Sequence, residues 1–340
     1  MNSSAPSLEI LERLLQRASR ARVAVLGDFC LDAYWELDEA PRELSVETGL
    51  PANRVRCQRY SPGGAGNVAA NLAALGVAKV SAIGLYGHDP FGDRLRSELQ
   101  SRGVDCAHFR NDLSPGWQTP VYAKPMRGGI EGERFDFGAA HFPEEVPADA
   151  FADVLEAVAA THDALIVNQQ LRDGLMTPAM VGAVNRLAAR HPGLCVLVDA
   201  RDIAASFHGV SLKVNESEAA RMVAGTDADG LSGEALAAAL HRRSGKPVFV
   251  SCGARGLVAA GRGRTASVPG VPVPPPIDPV GAGDCVVSAL AATLPGMDGT
   301  DIAGILDIAR FANLAASVVL KKIGTTGTAS PDEIRAAWAP

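Results

Sequence analysis

Ile277-Asp278-Pro279-Val280-Gly281-Ala282-Gly283-Asp284-Cys285-Val286-Val287-Ser288-Ala289-Leu290 is the stretch on which the reading of this chain turns. Gly281 and Gly283 permit positive φ and let a ligand come close to the backbone. The apolar run after them has helical character, so the first-turn amides point, unpaired, at whatever fills the loop. Those orphan donors and the positive end of the helix dipole together make an anion site. Asp284 lies in that first turn, where a carboxylate is either a helix cap or a group facing the anion. Taken alone, Gly-Ala-Gly-Asp leaves both readings open.

Outward from that segment, the chain alternates between strand and helix patterns. Val23-Ala24-Val25-Leu26-Gly27 is a short apolar run ending in glycine, as a buried parallel strand does. Gly63 to Gly76 switches to helical spacing, with Val68, Leu72 and Leu75 on one face. Strand Val80–Leu85, helix Phe91–Arg102 and strand Val104–Phe109 follow. From residue 147 the order is helix, strand Ala164–Val167, helix, strand Cys195–Asp199, helix, strand Ser211–Val214, two helices and strand Pro247–Ser251. This pattern predicts an α/β fold whose mostly parallel sheet is covered on both faces. Two polar strand-forming stretches, about 33–60 and 117–137, interrupt the alternation and read as one small separate sheet. The second is a hairpin of Thr119–Met126 with Glu133–Phe137. Residues 1–21 form an amphipathic helix carrying Leu8, Leu11, Leu14 and Leu15, and the Pro-rich Val271–Pro276 is a rigid approach to the glycine loop.

Composition narrows the classes of function. Lys plus Arg is 32 against 38 Asp plus Glu, a net charge of −6, and aromatics are only 5%. Without basic runs and interleaved aromatics there is no nucleic-acid footprint. The six cysteines (Cys30, Cys57, Cys106, Cys195, Cys252, Cys285) show no C-x-x-C pair and no histidine at metal-ligand spacing, which favours a reducing, cytoplasmic setting. No signal-peptide pattern and no run of ~18 apolar residues is evident, so no membrane partner is expected.

The motif Asp278-x-x-Gly281-Ala282-Gly283-Asp284 closely resembles the C-terminal signature of the ribokinase-like sugar kinases, the phosphofructokinase B (PfkB) family. Further pieces resemble that family in the right order. They are Gly27-Asp28-Phe29-Cys30-Leu31-Asp32, Pro62-Gly63-Gly64-Ala65-Gly66-Asn67, Asn215-Glu216-Ser217-Glu218 and Ser251-Cys252-Gly253-Ala254-Arg255-Gly256. The resemblance covers residues 22–330, and implies a Rossmann-type three-layer sandwich with a small β-sheet lid. Its implied activity is transfer of the γ-phosphate of ATP, with Mg²⁺, to a hydroxyl of a sugar or sugar phosphate. The N-terminal end is similar to the kinases of D-glycero-D-manno-heptose 7-phosphate, through Leu31-Asp32-x-Tyr34-Trp35, Ser45-Val46-Glu47 and the placing of Asn67 three residues after Gly64. Two sites depart from that subgroup. Asn168-Gln169-Gln170 stands where it tends to have Asp, and Asp199-Ala200-Arg201 where it has Asp-Pro-Lys. The acceptor therefore stays open toward 2-keto-3-deoxygluconate, fructose or a nucleoside, and a catalytically silent sugar or nucleotide sensor is the rival of another class.

The resemblance also implies roles, each with a plainer structural counterpart. Asp284 is the catalytic base, and the amides of Gly281, Ala282 and Gly283 hold the transferring phosphate. Asp32, Gly63, Gly64, Asn67 and Asn168 bind the sugar, with Asp32 read as a loop residue and Asn67 also as a helix cap. Glu133 and Asp136 face the sugar from the hairpin, with Arg134 on the opposite face by strand alternation. Asn215 and Glu218 organise Mg²⁺ through water, or form a capping box. Ser251, Gly253, Gly256 and Asn313 line the nucleotide. Asp278, Val280, Val319, Lys322, Gly324 and Thr328 hold a monovalent cation, K⁺, or form an ordinary C-terminal loop. The lid, with an apolar face of Val55, Tyr60, Val121 and Tyr122, needs burial of its own, which predicts a homodimer packed lid on lid.

Overall fold

A computed structural model describes residues 5–40, 42–112, 116–138, 148–224, 230–297 and 302–338. Residue 147, the expected start of the second helix-strand series, lies outside them. Helix α1 (Leu8–Ala18) leads into β1 (Arg22–Gly27), β2 (Phe29–Leu37) and β3 (Val55–Gly64). Then come α2 (Ala65–Ala74), β4 (Lys79–Leu85), α3 (Pro90–Ser101) and β5 (Asp105–Arg110). Strands β6 (Val121–Arg127), β7 (Ile130–Glu131) and β8 (Phe135–Phe137) precede α4 (Ala152–Thr161), β9 (Ala164–Gln169), α5 (Pro178–Arg190) and β10 (Cys195–Ala200). The remainder runs β11 (Ser211–Asn215), α6 (Glu216–Ala224), α7 (Gly233–Ser244), β12 (Val248–Ser251), β13 (Leu257–Gly261) and β14 (Arg264–Val268). Helices α8 (Ala282–Thr293), α9 (Ile302–Val319) and α10 (Pro331–Trp338) close it.

The main sheet has the order β14-β13-β12-β11-β10-β9-β1-β4-β5, parallel from β12 to β5 and antiparallel at the β13–β14 edge. Strand alternation divides the interior in two. Val23 and Val25 point into a core shared with α1, α2, α3, α8, α9 and α10. Ala24 and Leu26 point into the other, with α4, α5, α6 and α7. Helices on both faces of a parallel sheet are the layering that buries both sides of such strands. Because β1 lies between β4 and β9, the chain leaves it in both directions, and a crevice opens at the carboxyl ends of the strands. The second sheet, β3-β2-β6-β7 with β8 on β6, stands over that crevice.

Several expectations are corrected here. Strand β2 begins at Phe29, directly after β1, so Asp32 is a strand residue, and β3 runs on to Gly64, so Gly63 and Gly64 end a strand and the helix starts at Ala65. The apolar β2 sequence and the Gly pair carry no polar alternation to mark them as strand. Between β10 and β11 the residues 201–210 hold only a 3₁₀ turn, Ala204–Ser206, where a helix was expected. That connection is shorter than a helical crossover requires. The β13–β14 hairpin was not anticipated; it turns at Arg262 and Gly263, both at positive φ. Helix α9 is long and apolar enough to cross a membrane, contrary to the sequence expectation, yet 61% of it is buried in the body against α8 and the sheet. The lid's apolar face also differs. Val121 is fully buried and Tyr60 packs against the main core under Arg94, while Leu44, Val46, Leu50, Val55, Ile130, Phe135 and Phe137 are exposed apolar residues.

Candidate active site

Helices α1, α3, α5 and α7 are capped by side chains, those of Ser7, Asp89, Thr177 and Ser232. Helices α2 and α8 are not. Their N-caps are Gly64 and Gly281, and no side chain accepts from their first turns. Both open on one cavity of about 370 Å³, which Gly64, Gly281, Gly283 and Asp284 line. Gly281 takes the left-handed conformation (φ +80°), and a β-carbon there would stand 2.9 Å from Asn67 Nδ2, so both backbone and space demand glycine. Ala282, expected in the phosphate cradle, is corrected: its N–H donates to the Pro279 carbonyl at 3.2 Å to close the turn. Gly281 and Gly283 line the cavity; Ala282 does not.

Asp284 is not the cap of its helix. Its Oδ2 accepts from Asn67 Nδ2 at 2.6 Å. Asn67 is therefore committed to the acid rather than to a sugar or a helix end, and its Oδ1 accepts in turn from Asn71 Nδ2 at 3.3 Å. Burial pushes the Asp284 carboxyl up to about 6, against the Asn67 hydrogen bond, while Asp199 raises it and Lys213 and Arg201 lower it. A carboxyl near 6 is mostly ionised at neutral pH yet basic enough to take a proton, the condition for a general base. Lys213 on β11 lies beside it, with Nζ 3.2 Å from Asp199 Oδ1. Burial works against this ammonium, but Asp199, Asp284 and Glu218 outweigh it and keep it protonated.

The lid supplies the opposite wall. Asp32 on β2 and Lys124 on β6 are two positions apart in a parallel pairing, hence on one face, and form an ion pair at 2.9 Å with side chains 7% and 10% exposed. Lys124 Nζ also lies 4.8 Å from the centre of the Tyr34 ring. Gly63 packs behind Asp32 without lining the cavity. Arg134 faces the cavity, contrary to expectation, while Glu133 and Asp136 do not line it. Residues 133 and 134 precede β8, so strand alternation does not govern them; Asp136 holds the Arg134 guanidinium at 2.7 Å over the Tyr122 ring. Asn168 is also corrected. It is fully buried, donating to Asp199 Oδ2 at 3.3 Å and accepting from Gln170 Nε2 at 3.1 Å, and Gln170 lines the cavity instead.

At the start of α6 a reciprocal capping box forms: Glu218 Oε2 accepts from the Asn215 amide at 2.7 Å, and Asn215 Oδ1 from the Glu218 amide at 2.8 Å. Both residues also line the cavity, and burial holds the Glu218 carboxyl above its ordinary range. Across α6 lies a second cavity of about 400 Å³, lined by Glu216, Glu234, Cys252, Arg255, Val258 and Pro269 among others. Ser251, Gly253, Gly256 and Asn313 frame this cavity without lining it. The Ser251 hydroxyl turns back to the Val214 carbonyl, and Asn313 Nδ2 braces the wall through the carbonyls of Val268 and Pro269. Beyond α8, Asp278 ties two loops together by accepting from the amides of Val280 at 3.0 Å and Gly324 at 2.9 Å. The Val319 carbonyl accepts from the Lys322 amide, and Lys322 Nζ donates to the Thr328 carbonyl at 2.6 Å and pairs with Glu333.

Sequence reasoning missed Lys124, Lys213 and Asn71, and named Arg201 only as a departure from the heptose-kinase pattern. Lysines inside the buried strands Ser211–Asn215 and Val121–Arg127 were the signal that could have found two of them.

Against known proteins, the profile described as pfkB family carbohydrate kinase matches residues 20–119 and 201–333. The bifunctional protein HldE of Pseudomonas aeruginosa is 31% identical over 328 residues, 95% of this chain and 65% of that one. HldE of Halorhodospira halophila is 34% identical over 321 residues, 93% of this chain and 63% of the relative. The chain thus spans about two thirds or less of the length of these relatives. Among solved structures, Arabidopsis thaliana ribokinase complexed with ribose and ATP superposes with a TM-score of 0.68 at 20% identity, over 94% of this chain and 98% of that one. Phosphofructokinase-2 from Escherichia coli in complex with potassium gives 0.69 at 20% identity, over the same shares. At that identity the likeness concerns the fold.

Proposed function

This chain belongs to the pfkB family of carbohydrate kinases, and on that premise we propose that it transfers the γ-phosphate of ATP to a hydroxyl of a phosphorylated sugar, with heptose 7-phosphate the leading acceptor. The observation that carries the reading is Asp284: a half-buried acid near pKa 6, at an uncapped helix start, held by an amide rather than serving as the cap. Its free oxygen takes the proton of the attacking hydroxyl as the sugar oxygen closes on phosphorus. Phosphoryl transfer passes through a loose transition state, so placement and charge do most of the catalysis. The amides of Gly281 and Gly283 meet the oxygens of the phosphoryl group in transit. The nucleotide occupies the second cavity, reaching the first around the start of α6. Asn215 and Glu218 fit a water-mediated Mg²⁺, whose contribution is to neutralise phosphate charge. Asp32 holds sugar hydroxyls.

A phosphorylated acceptor is favoured by the cations of the cavity. Lys124 and Arg134 are each paired with a carboxylate, whereas Arg201 lines the cavity with no ion-pair partner among the described residues. The departures at Asn168 and Asp199-Ala200-Arg201 sit at this end, and so the exact sugar is the part to be measured. A turnover screen over free sugars and sugar 1-, 6- and 7-phosphates tests it. Phosphorylated sugars should be preferred by at least ~10-fold in kcat/KM; equal turnover of free sugars would contradict the reading. A K⁺ at the Asp278 loops would steady the glycine loop, taking over the Thr328 carbonyl that the Lys322 ammonium holds in this structure. Activity several-fold higher in ~100 mM K⁺ than in tetramethylammonium of equal ionic strength supports it, since both salts screen alike. The exposed apolar residues of the lid support a homodimer through that sheet, as sedimentation would show.

A further inference from the structure

Lys213 is a charged side chain in an apolar strand, between Leu212 and Val214 of the core, and only 9% of it is exposed. A buried charge is retained at a cost unless it is paired or used. Two contacts place it. Its Nζ is 3.2 Å from Asp199 Oδ1, and a β-carbon on Gly283 would stand 3.2 Å from the same nitrogen. Of the cations lining the cavity, Lys124 is held by Asp32 in the lid, Arg134 by Asp136, and Arg201 has no ion pair among the described residues, while Lys213 lies beside the glycine loop. Behind it runs a chain of side chains across the strand ends: Asp199 to Asn168 at 3.3 Å, then Asn168 to Gln170 at 3.1 Å. Asn168 is neutral, so Asp199 is the one carboxylate in hydrogen-bond contact with Lys213 among the described residues.

We propose that Lys213 is a second catalytic group of this site, its ammonium contacting the phosphoryl group as it passes to the acceptor, with Asp199 and Asn168 as the positioning residues that park it there. The proposal rests on the phosphotransfer reading above. The amides of Gly281 and Gly283 offer dipoles, whereas the oxygens in transit bear full negative charge and lie near three carboxylates, Asp284, Asp199 and Glu218. Of the cavity's cations, Lys213 is the one seated against the glycine loop, 3.2 Å from where a Gly283 β-carbon would stand. Lys213 forms no bond and gives up no proton. The acceptor hydroxyl's proton goes to Asp284, the oxygen–phosphorus bond to the sugar forms, and the bond to the departing ADP oxygen breaks.

The experiment compares wild type, Lys213→Met and the double variant Asp199→Asn/Lys213→Met, in turnover and in ADP affinity by calorimetry. The double variant removes both members of the buried pair, and so leaves no uncompensated charge to unfold the protein. Both variants should lose at least ~10²-fold in kcat, the size of losing one transition-state donor, with the ADP Kd within about threefold of wild type. A folded double variant that recovers turnover to within threefold of wild type would show that the lysine merely neutralises Asp199, and overturns the proposal. So does near-normal turnover by Lys213→Met alone. Absence of turnover in the wild type on every acceptor would instead defeat the phosphotransfer reading itself, a distinguishable result.

Discussion

The amino and carboxyl edges of the main sheet bury polar groups in opposite ways. At the amino edge, His162 lies between two hydroxyls, with Nδ1 2.9 Å from Thr161 and Nε2 3.0 Å from Ser81. The Thr161 hydroxyl donates to the Ala157 carbonyl, so it accepts from Nδ1–H, and Nε2 is left to accept from Ser81. The neutral ring is fully bonded, and burial, with Lys79 and Arg22 nearby, keeps its pKa below the usual value. At the carboxyl edge, burial instead raises Asp28, Glu218 and Asp284, and each stays a hydrogen-bond acceptor: Asp28 from the amides of Gln170, Leu171 and Leu175, Glu218 from the Asn215 amide, and Asp284 from the Asn67 side chain. One edge is arranged to be stable at neutral pH and the other to hold charge where reaction needs it.

That difference has a sign in pH. The unfolded chain protonates His162 near 6.5 and the folded protein resists, so the stability His162 gives is complete above 6.5 and is lost as pH falls through its lower folded value. Asp284 is the reverse. Its folded pKa of about 6 lies above the unfolded value, so its charge costs stability above pH 6, and that cost is relieved as pH falls toward 4.

Lys124→Met breaks the comparison hardest, because it strands the Asp32 carboxylate in the lid wall. Loss of a buried partner costs about 3–5 kcal/mol, measurable by urea denaturation, and acceptor KM should rise while ADP affinity holds. A loss under about 1 kcal/mol would show that the pair is effectively solvated. His162→Ala should cost about 1–3 kcal/mol by taking from the buried Ser81 hydroxyl its 3.0 Å partner, flatten the loss of stability below pH 6.5, and leave kcat within about twofold. A large fall in kcat there would mean the two edges are not separable. Smallest is Asn67→Leu. Without its donor the Asp284 carboxyl rises further, so the acid limb of the kcat profile should move upward by about one pH unit, roughly 1.4 kcal/mol. An unmoved limb would detach Asn67 from the base.

How much of this could be read in advance follows the same division. The glycine loop and Asp284 were legible because a positive φ, an uncapped helix and an acid in its first turn leave a local trace in a few adjacent residues. The parallel strands were legible from apolar runs. Lys213 and Lys124 were not, since one lysine in an apolar strand has no periodicity, and what makes each matter is a partner on another strand. Asn67 was singled out for the wrong contact: its spacing from Gly64 placed it at a helix start, but only the packing of α2 on α8 brings it to Asp284. Arg134 was misassigned because alternation was applied to residues that precede the strand. Short connections misled in the same way, as between β10 and β11, where the pattern supplied a helix that the available length does not hold.

The central claim is that the carboxyl edge, through Asp284, moves phosphate from ATP to a sugar hydroxyl. Phosphorus-31 NMR of ATP with a sugar phosphate, comparing wild type with Asp284→Asn, tests it most directly. The wild type should give a new phosphate ester and stoichiometric ADP. The variant, at least as stable at pH 7 because the desolvated charge is gone, should form that ester at least ~10²-fold more slowly. Ester formation at comparable rates in both proteins, or release of inorganic phosphate in its place, would contradict the account.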